Sequence, residues 1–227
     1  MTTKVNNNIK KMTVIAVLCA IAYLVSFIFP FKVSFLTFDL KDAIIAIASL
    51  MYGPLAGLIS SIIVPFLEFI TTSETGVYGF IMNFLSSAAF SVTAGFIYKY
   101  KRSFSGAIFA MLSAVFAVTA VMLLANLFIT PYYIGMTDIG AARSVVVDMI
   151  PTLLLPFNLI KSVVNASLTL LIYKPVTAAF ARMRLVEKKV YSKGAGTRSV
   201  ILMLSCLGVA AAAVVVFVLC LGGTIEF

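Results

Sequence analysis

Apolar runs long enough to cross a bilayer follow one another along almost the whole of this chain, at residues 12–29, 43–71, 79–98, 106–130, 150–173 and 200–221. A hydrocarbon core ~30 Å thick needs about 20 consecutive apolar residues in a helix, so each run is a candidate span. Lipid offers the backbone no hydrogen-bond partners, and helices of this length satisfy their own. The composition agrees: of 227 residues 62% are hydrophobic and 11% charged, against ~25% charged in a soluble domain. The expected fold class is an all-α integral membrane protein with no room for a soluble catalytic domain.

The formal net charge of +9 does not point to nucleic acid, because the basic residues cluster in short stretches that flank apolar runs, where membrane topology accounts for them. Cys19, Cys206 and Cys220 fall inside apolar runs and read as small hydrophobes. The chain has no His, and it shows neither clustered carboxylates at metal-ligand spacing nor a paired nucleophile and base. The first run follows a basic N-terminus with no small-residue cleavage site before Pro30, so it reads as a retained helix.

Tyr52-Gly53-Pro54 is a helix-breaking turn signal inside the second run. Splitting the run there flips the side assigned to every later connection. With the split, Lys4, Lys10, Lys11, Lys99, Lys101, Arg102, Lys174, Arg182, Arg184, Lys188, Lys189, Lys193 and Arg198 share the cytoplasmic side, and Lys32, Lys41 and Arg143 lie outside, 13 against 3. Without it the ratio is 4 to 12. The positive-inside rule selects the split and gives seven helices, with the N-terminus cytoplasmic and the C-terminus extracellular. Helix 2, from Lys41 to Tyr52, is then only about 18 Å long.

On this map the intramembrane polar groups gather toward the outer leaflet. Glu68 falls in the last turn of helix 3, Asn83 in the first turn of helix 4 and Asn126 near the outer end of helix 5, while Asn158, Lys161 and Asn165 share one face of helix 6. Lys161 is the informative one. A cation inside a membrane helix costs roughly 2.5–3.5 kcal/mol and usually marks a site or pathway.

The residues alone leave alternatives open. Lys161 either lines a ligand pocket or pairs with Glu68 as a structural ion bridge. The asparagines are ligand contacts or interhelical glue. Thr37 and Asp39 suit N-caps of helix 2, and Tyr132 and Tyr133 suit the interfacial aromatic belt. Ala16 and Ala20 form a small-xxx-small pair, a weak signal in isolation.

Asp39-Leu-Lys-Asp42, Tyr52-Gly-Pro-Leu-Ala-Gly57, Asn83-Phe-Leu, Ala94-Gly-Phe-Ile-Tyr98, Asn126 with Thr130-Pro-Tyr132, and Leu155-Pro-Phe-Asn-Leu-Ile-Lys161 occur in that order. Together they resemble the substrate-binding S component of energy-coupling factor (ECF) transporters, in its riboflavin-specific branch, over residues 10–180. The resemblance implies a six-helix membrane bundle that captures riboflavin from outside. It also implies work with a transmembrane coupling subunit and two cytoplasmic ATPases, in the bacterial cell membrane, with riboflavin as cargo and no cofactor. Asn126 and Lys161 match positions that contact the isoalloxazine ring; Leu36, Thr37, Tyr78 and Gly79 match lid and ribityl-contacting regions; Ala16 and Ala20 match a motif for docking on the coupling subunit. Asn83, Glu68, Asn158 and Asn165 complete the candidate substrate site. Another vitamin, a flavin nucleotide, or a membrane protein without transport activity are the alternatives.

The expected organisation is a binding domain at 1–180, a basic cytoplasmic linker at 181–198 and an extra membrane helix at 199–227, which departs from the six-helix pattern. The chain lacks Gly-x-x-x-x-Gly-Lys-[Ser/Thr], so a phosphate-cradling loop of that type is not expected here.

Overall fold

The computed structural model describes residues 2–28 and 31–185, with positions 204, 208 and 211 beyond them. The expected extra helix at 199–227 and most of the 181–198 linker lie outside the described residues. In chain order the elements are α1 (Thr2–Ile28), a β-hairpin of β1 (Phe31–Val33) and β2 (Leu36–Phe38), α2 (Lys41–Tyr52), α3 (Pro54–Thr71), α4 (Gly76–Tyr100), α5 (Phe104–Ile134), α6 (Ile139–Met149) and α7 (Leu155–Arg182). A π turn at Ile150–Leu154 joins α6 to α7, so these two form one helical column. With that column counted once, the described residues form six helices.

Among the described residues five helices are long and apolar enough to span a bilayer: Asn7–Ile28, Pro54–Thr71, Gly76–Tyr100, Phe104–Ile134 and Ile139–Arg182. α2 is the exception. Gly53, at φ 97°, ends it, and Pro54 opens α3 at once, since the glycine adopts a conformation other residues rarely reach and the proline lacks the N–H a continuing helix would use. The turn expected at Gly53 is therefore present. α2 stays 12 residues long and packs against α1, α3, α4 and α7. Every residue from Lys41 to Leu50 is buried, as befits a helix apolar around most of its circumference.

The outer helices show the inverse pattern. On α5 the large side chains of Phe109, Leu112, Phe116, Leu124 and Phe128 are exposed, whereas Ala107, Ala110, Ala114 and Val118 are buried. Small residues inward and large apolar ones outward let helices approach closely while presenting hydrocarbon to lipid. The same logic governs the α2–α3–α4 junction. A β-carbon on Gly95 would collide with the Ser49 hydroxyl, and one on Gly57 would come within 2.7 Å of it. The chain is a multi-pass membrane protein.

Two apolar clusters divide the interior. The larger is built on α1, α2, α4, α5 and α7, with Val14, Ile45, Ile47, Phe90, Ala110 and Ala114 at its centre. The smaller joins the hairpin to the α6–α7 column through Leu36, Val146, Leu154 and Phe157. The connection between α1 and α2 is a two-stranded antiparallel hairpin. It pairs Phe31 with Phe38, Lys32 with Thr37 and Val33 with Leu36, turning at Ser34, whose φ is 56°. Its apolar side chains cover one end of the bundle because they have a partner there: Phe38 meets Phe157 edge to face at 6.2 Å between ring centres.

Candidate functional site

Beneath the hairpin, adjoining a chamber of about 370 Å³, lies a cavity of about 100 Å³, itself smaller than the roughly 300–1,000 Å³ typical of small-molecule sites. Its walls come from the hairpin, α4, α5 and α7. Met82, Met122, Ile129 and Phe157 supply apolar surface, while Thr37, Asn83, Ser86, Asn126, Thr130, Asn158 and Lys161 supply polar groups. Phe35, Tyr78 and Tyr133 frame it, with Tyr133 6.4 Å from each of the other two rings.

Of the residues expected at the site, Leu36, Thr37, Tyr78, Gly79, Asn83, Asn126, Asn158 and Lys161 line this cavity. Glu68 lines the adjoining chamber, which shares Phe35, Thr37, Thr75, Asn83 and Tyr133 with it and adds Asp39 and Lys41. Asn165 lies one turn further along α7, in a small pocket under the main one. Asn83 sits in the second turn of α4, because that helix begins at Gly76. Ala16 and Ala20 are exposed on α1.

The amides differ in how they are held. Asn126 is fully buried, donates to the Met122 carbonyl at 2.7 Å and accepts from Thr130 Oγ1 at 2.9 Å. Asn158 donates to the Leu154 carbonyl at 2.7 Å. An amide offers two donors and two acceptor lone pairs, so each keeps a donor and an acceptor for the cavity. Asn165 spends both donors and one lone pair on the fold: it accepts from the Ala43 N–H at 2.9 Å and donates to the Asp39 and Lys161 carbonyls at 3.0 Å each. It caps the start of α2 from across the bundle, satisfying a backbone donor left free in a helix's first turn.

The charged residues overturn two expectations. Lys161 does not pair with Glu68: its ammonium donates to Asp39 Oδ2 at 2.9 Å and to the Thr37 carbonyl at 3.1 Å. Glu68 binds Lys41 at 2.6 Å, and Lys41 also reaches Asp39 Oδ2 at 3.4 Å. Nor does Asp39 cap α2, where Leu40 is the cap residue and makes no side-chain cap bond of its own. Lys41, expected outside, is 2% exposed, because two carboxylates compensate its burial. Asp39 and Asp42 are buried too; Asp42 accepts from Ser87 at 2.5 Å and from Ser86 at 3.3 Å.

The result is a chain of contacts, Lys161–Asp39–Lys41–Glu68–Asn83, crossing from α7 to α4 beside the cavity; the last link is 3.4 Å. Asp39 lies in the connection before α2. Burial pushes its carboxyl up, and the Lys161 and Lys41 ammonium groups more than reverse this, leaving it below its ordinary value. Reading the sequence missed Lys41, whose carboxylate neighbours resemble the end of a loop. It missed Tyr133 as well; only Tyr132, 53% exposed, stays away from the cavity and suits the aromatic belt.

At the outer rim, Lys32 of β1 and Glu74 of the α3–α4 turn form an exposed ion pair at 2.5 Å. It draws the hairpin toward the turn, with a small stabilisation expected of an exposed pair.

Comparisons with known proteins agree with this geometry. A family model described as the ECF transporter substrate-specific component matches residues 10–173. The chain is 31% identical over 169 residues to the riboflavin transporter RibU of Staphylococcus aureus (strain TCH60), covering 73% of this chain and 89% of that protein. It is 32% identical over 168 residues to the riboflavin transporter FmnP of Bacillus subtilis (strain 168), covering 69% and 86%. A solved structure of the S component of a bacterial ECF transporter superposes with a TM-score of 0.63 at 30% identity, covering 77% of this chain and 99% of that one. With its polar cavity set in a six-helix bundle and the family match across most of its length, this chain belongs to the substrate-specific components of ECF transporters.

Proposed function

We propose that this protein is the riboflavin-binding subunit of an ECF-type importer in a bacterial membrane. The observation that carries the reading is the convergence of Asn126, Asn158 and Lys161 in a cavity that also offers the apolar and aromatic surfaces of Met82, Met122, Tyr133 and Phe157. A flavin's pyrimidine edge alternates carbonyl acceptors with an N–H donor. Each of the two amides has one donor and one acceptor to spare, and the ammonium adds a donor. Phe35, Tyr133 and Phe157 give the ring system aromatic surface, and the adjoining chamber, with Glu68, Asn83 and Thr75, gives hydroxyl groups of a ribityl arm acceptors to meet.

The hairpin end is assigned to the outside by the charge distribution of the sequence, 13 basic residues against 3. ATP hydrolysis falls to partners: two cytoplasmic ATPases and a transmembrane coupling subunit, which docks on the exposed small-residue face of α1 at Ala16 and Ala20. Titrating the purified protein with riboflavin tests the reading. Saturable quenching of flavin fluorescence at submicromolar protein supports it, and no quenching up to micromolar concentration overturns it. FMN as competitor asks whether a phosphate is tolerated.

A further inference from the structure

Asp39 helps to neutralise Lys41, but at 3.4 Å, against 2.6 Å for Glu68, that pairing does not account for its placement. It is 2% exposed, caps no helix, and its Oδ1 is the buried side-chain polar atom left without a hydrogen-bond partner among the described residues. An ionised carboxylate in that position is costly unless something is gained from it. Its other oxygen, Oδ2, is where the ammonium groups of Lys161 and Lys41 converge, at 2.9 and 3.4 Å.

Lys161 shows what the convergence does. An ammonium has three N–H donors. One goes to Asp39 and one to the Thr37 carbonyl on β2, which leaves one donor, on a side chain that lines the cavity. With two of its three donors fixed, the direction of the third is fixed too. Without Asp39, the lysine would keep only the Thr37 carbonyl and could swing about its long side chain. Lys41, bound to Glu68 on its other side, anchors Asp39 in turn.

We infer that Asp39 is the positioning residue of the substrate site: with Lys161 held at one bond by the hairpin's Thr37 carbonyl, the bond to Asp39 aims the remaining donor of that lysine at the ligand. A structural ion pair and a ligand contact are then not rival roles for Lys161; different protons of one ammonium perform each. Asp39 touches no ligand itself and acts through Lys161.

The inference rests on the flavin reading for its probe. The test is a double-mutant cycle on the full chain, with riboflavin affinity from fluorescence quenching and melting temperature measured without ligand. Asp39→Ala and Lys161→Ala are each expected to weaken binding about tenfold or more, and the double variant no further than the weaker-binding single one, because the two residues act as a unit. Asp39→Asn, which keeps an acceptor for the lysine, is expected to recover part of the affinity, and it replaces Asp39→Ala in the cycle if the alanine variant does not fold. Losses that multiply in the double variant, or an Asp39→Ala protein that folds and binds as tightly as wild type, overturn the positioning role and leave the flavin reading standing. Wild-type protein that does not quench riboflavin overturns the flavin reading and this inference with it.

Discussion

Asn126 and Asn165 are both buried asparagines near one end of the bundle, yet their hydrogen bonds divide them. Asn126 keeps part of its amide free beside the cavity, whereas Asn165 uses its amide to hold α2. Asn126→Ala is therefore expected to weaken riboflavin binding about tenfold or more with little change in ligand-free melting. Asn165→Ala, which strands the Ala43 N–H, is expected to destabilise the fold by about 1–3 kcal/mol. Affinity and melting temperature measured on both variants separate the roles. Lys41→Met makes a third case. It removes the cation between two buried carboxylates, with an expected cost of about 3–5 kcal/mol, read as a loss of melting temperature or of folded yield. Sequence reasoning found Lys161 because it stands alone in an apolar run. It did not find Lys41, because three charges in four residues at the head of a helix look the same whether they face water or one another. The shared face of Asn158, Lys161 and Asn165 was legible from spacing, but one turn of depth decides whether an amide meets a cavity or a helix end, and spacing carries no depth.

Among the elements, α2 and its neighbours are set by what is missing from their side chains. Gly95 gives the Ser49 hydroxyl the room it occupies. Gly95→Ala is expected to cost about 1–3 kcal/mol through overpacking, and Ser49→Ala in the same chain is expected to restore much of it; thermal melting of the single and double variants checks this. The break at Gly53-Pro54 was legible because backbone chemistry dictates it locally. The hairpin was not: its strands are three residues each, and they hold their shape by laying Leu36 and Phe38 on the α6–α7 column. The π turn was equally hidden. There the Leu155 N–H reaches the Ile150 carbonyl, one residue further back than in an α-helix, between Pro151 and Pro156, neither of which has an N–H to give. Such turns reset the facing of the helix that follows, here the stretch that carries Phe157, Asn158 and Lys161.

For the whole molecule, the orientation derived from charge makes a direct prediction. Ser73→Cys, at the hairpin end, is expected to react with a membrane-impermeant maleimide added to intact cells, and Arg102→Cys, at the opposite end, only after lysis. The reverse pattern would place the cavity on the cytoplasmic side. The relatives' extent makes another. The solved S component is covered over 99% of its length by only 77% of this chain, so a chain ending after Leu185 is expected to bind riboflavin with unchanged affinity, checked by the same quenching titration.

The sheathed α2 also bears on how the protein is made. At 12 residues it is too short to be recognised as a span during synthesis, and its buried ion cluster would be a heavy penalty for a segment entering lipid alone. It can settle only together with α3, as a helical pair, and its charges meet their last partner, Lys161, more than a hundred residues later in the chain. Until α7 arrives, Asp39 and Lys41 must wait near the aqueous edge. A chain interrupted before Lys161 is therefore expected to carry an incompletely neutralised ion cluster at the head of α2.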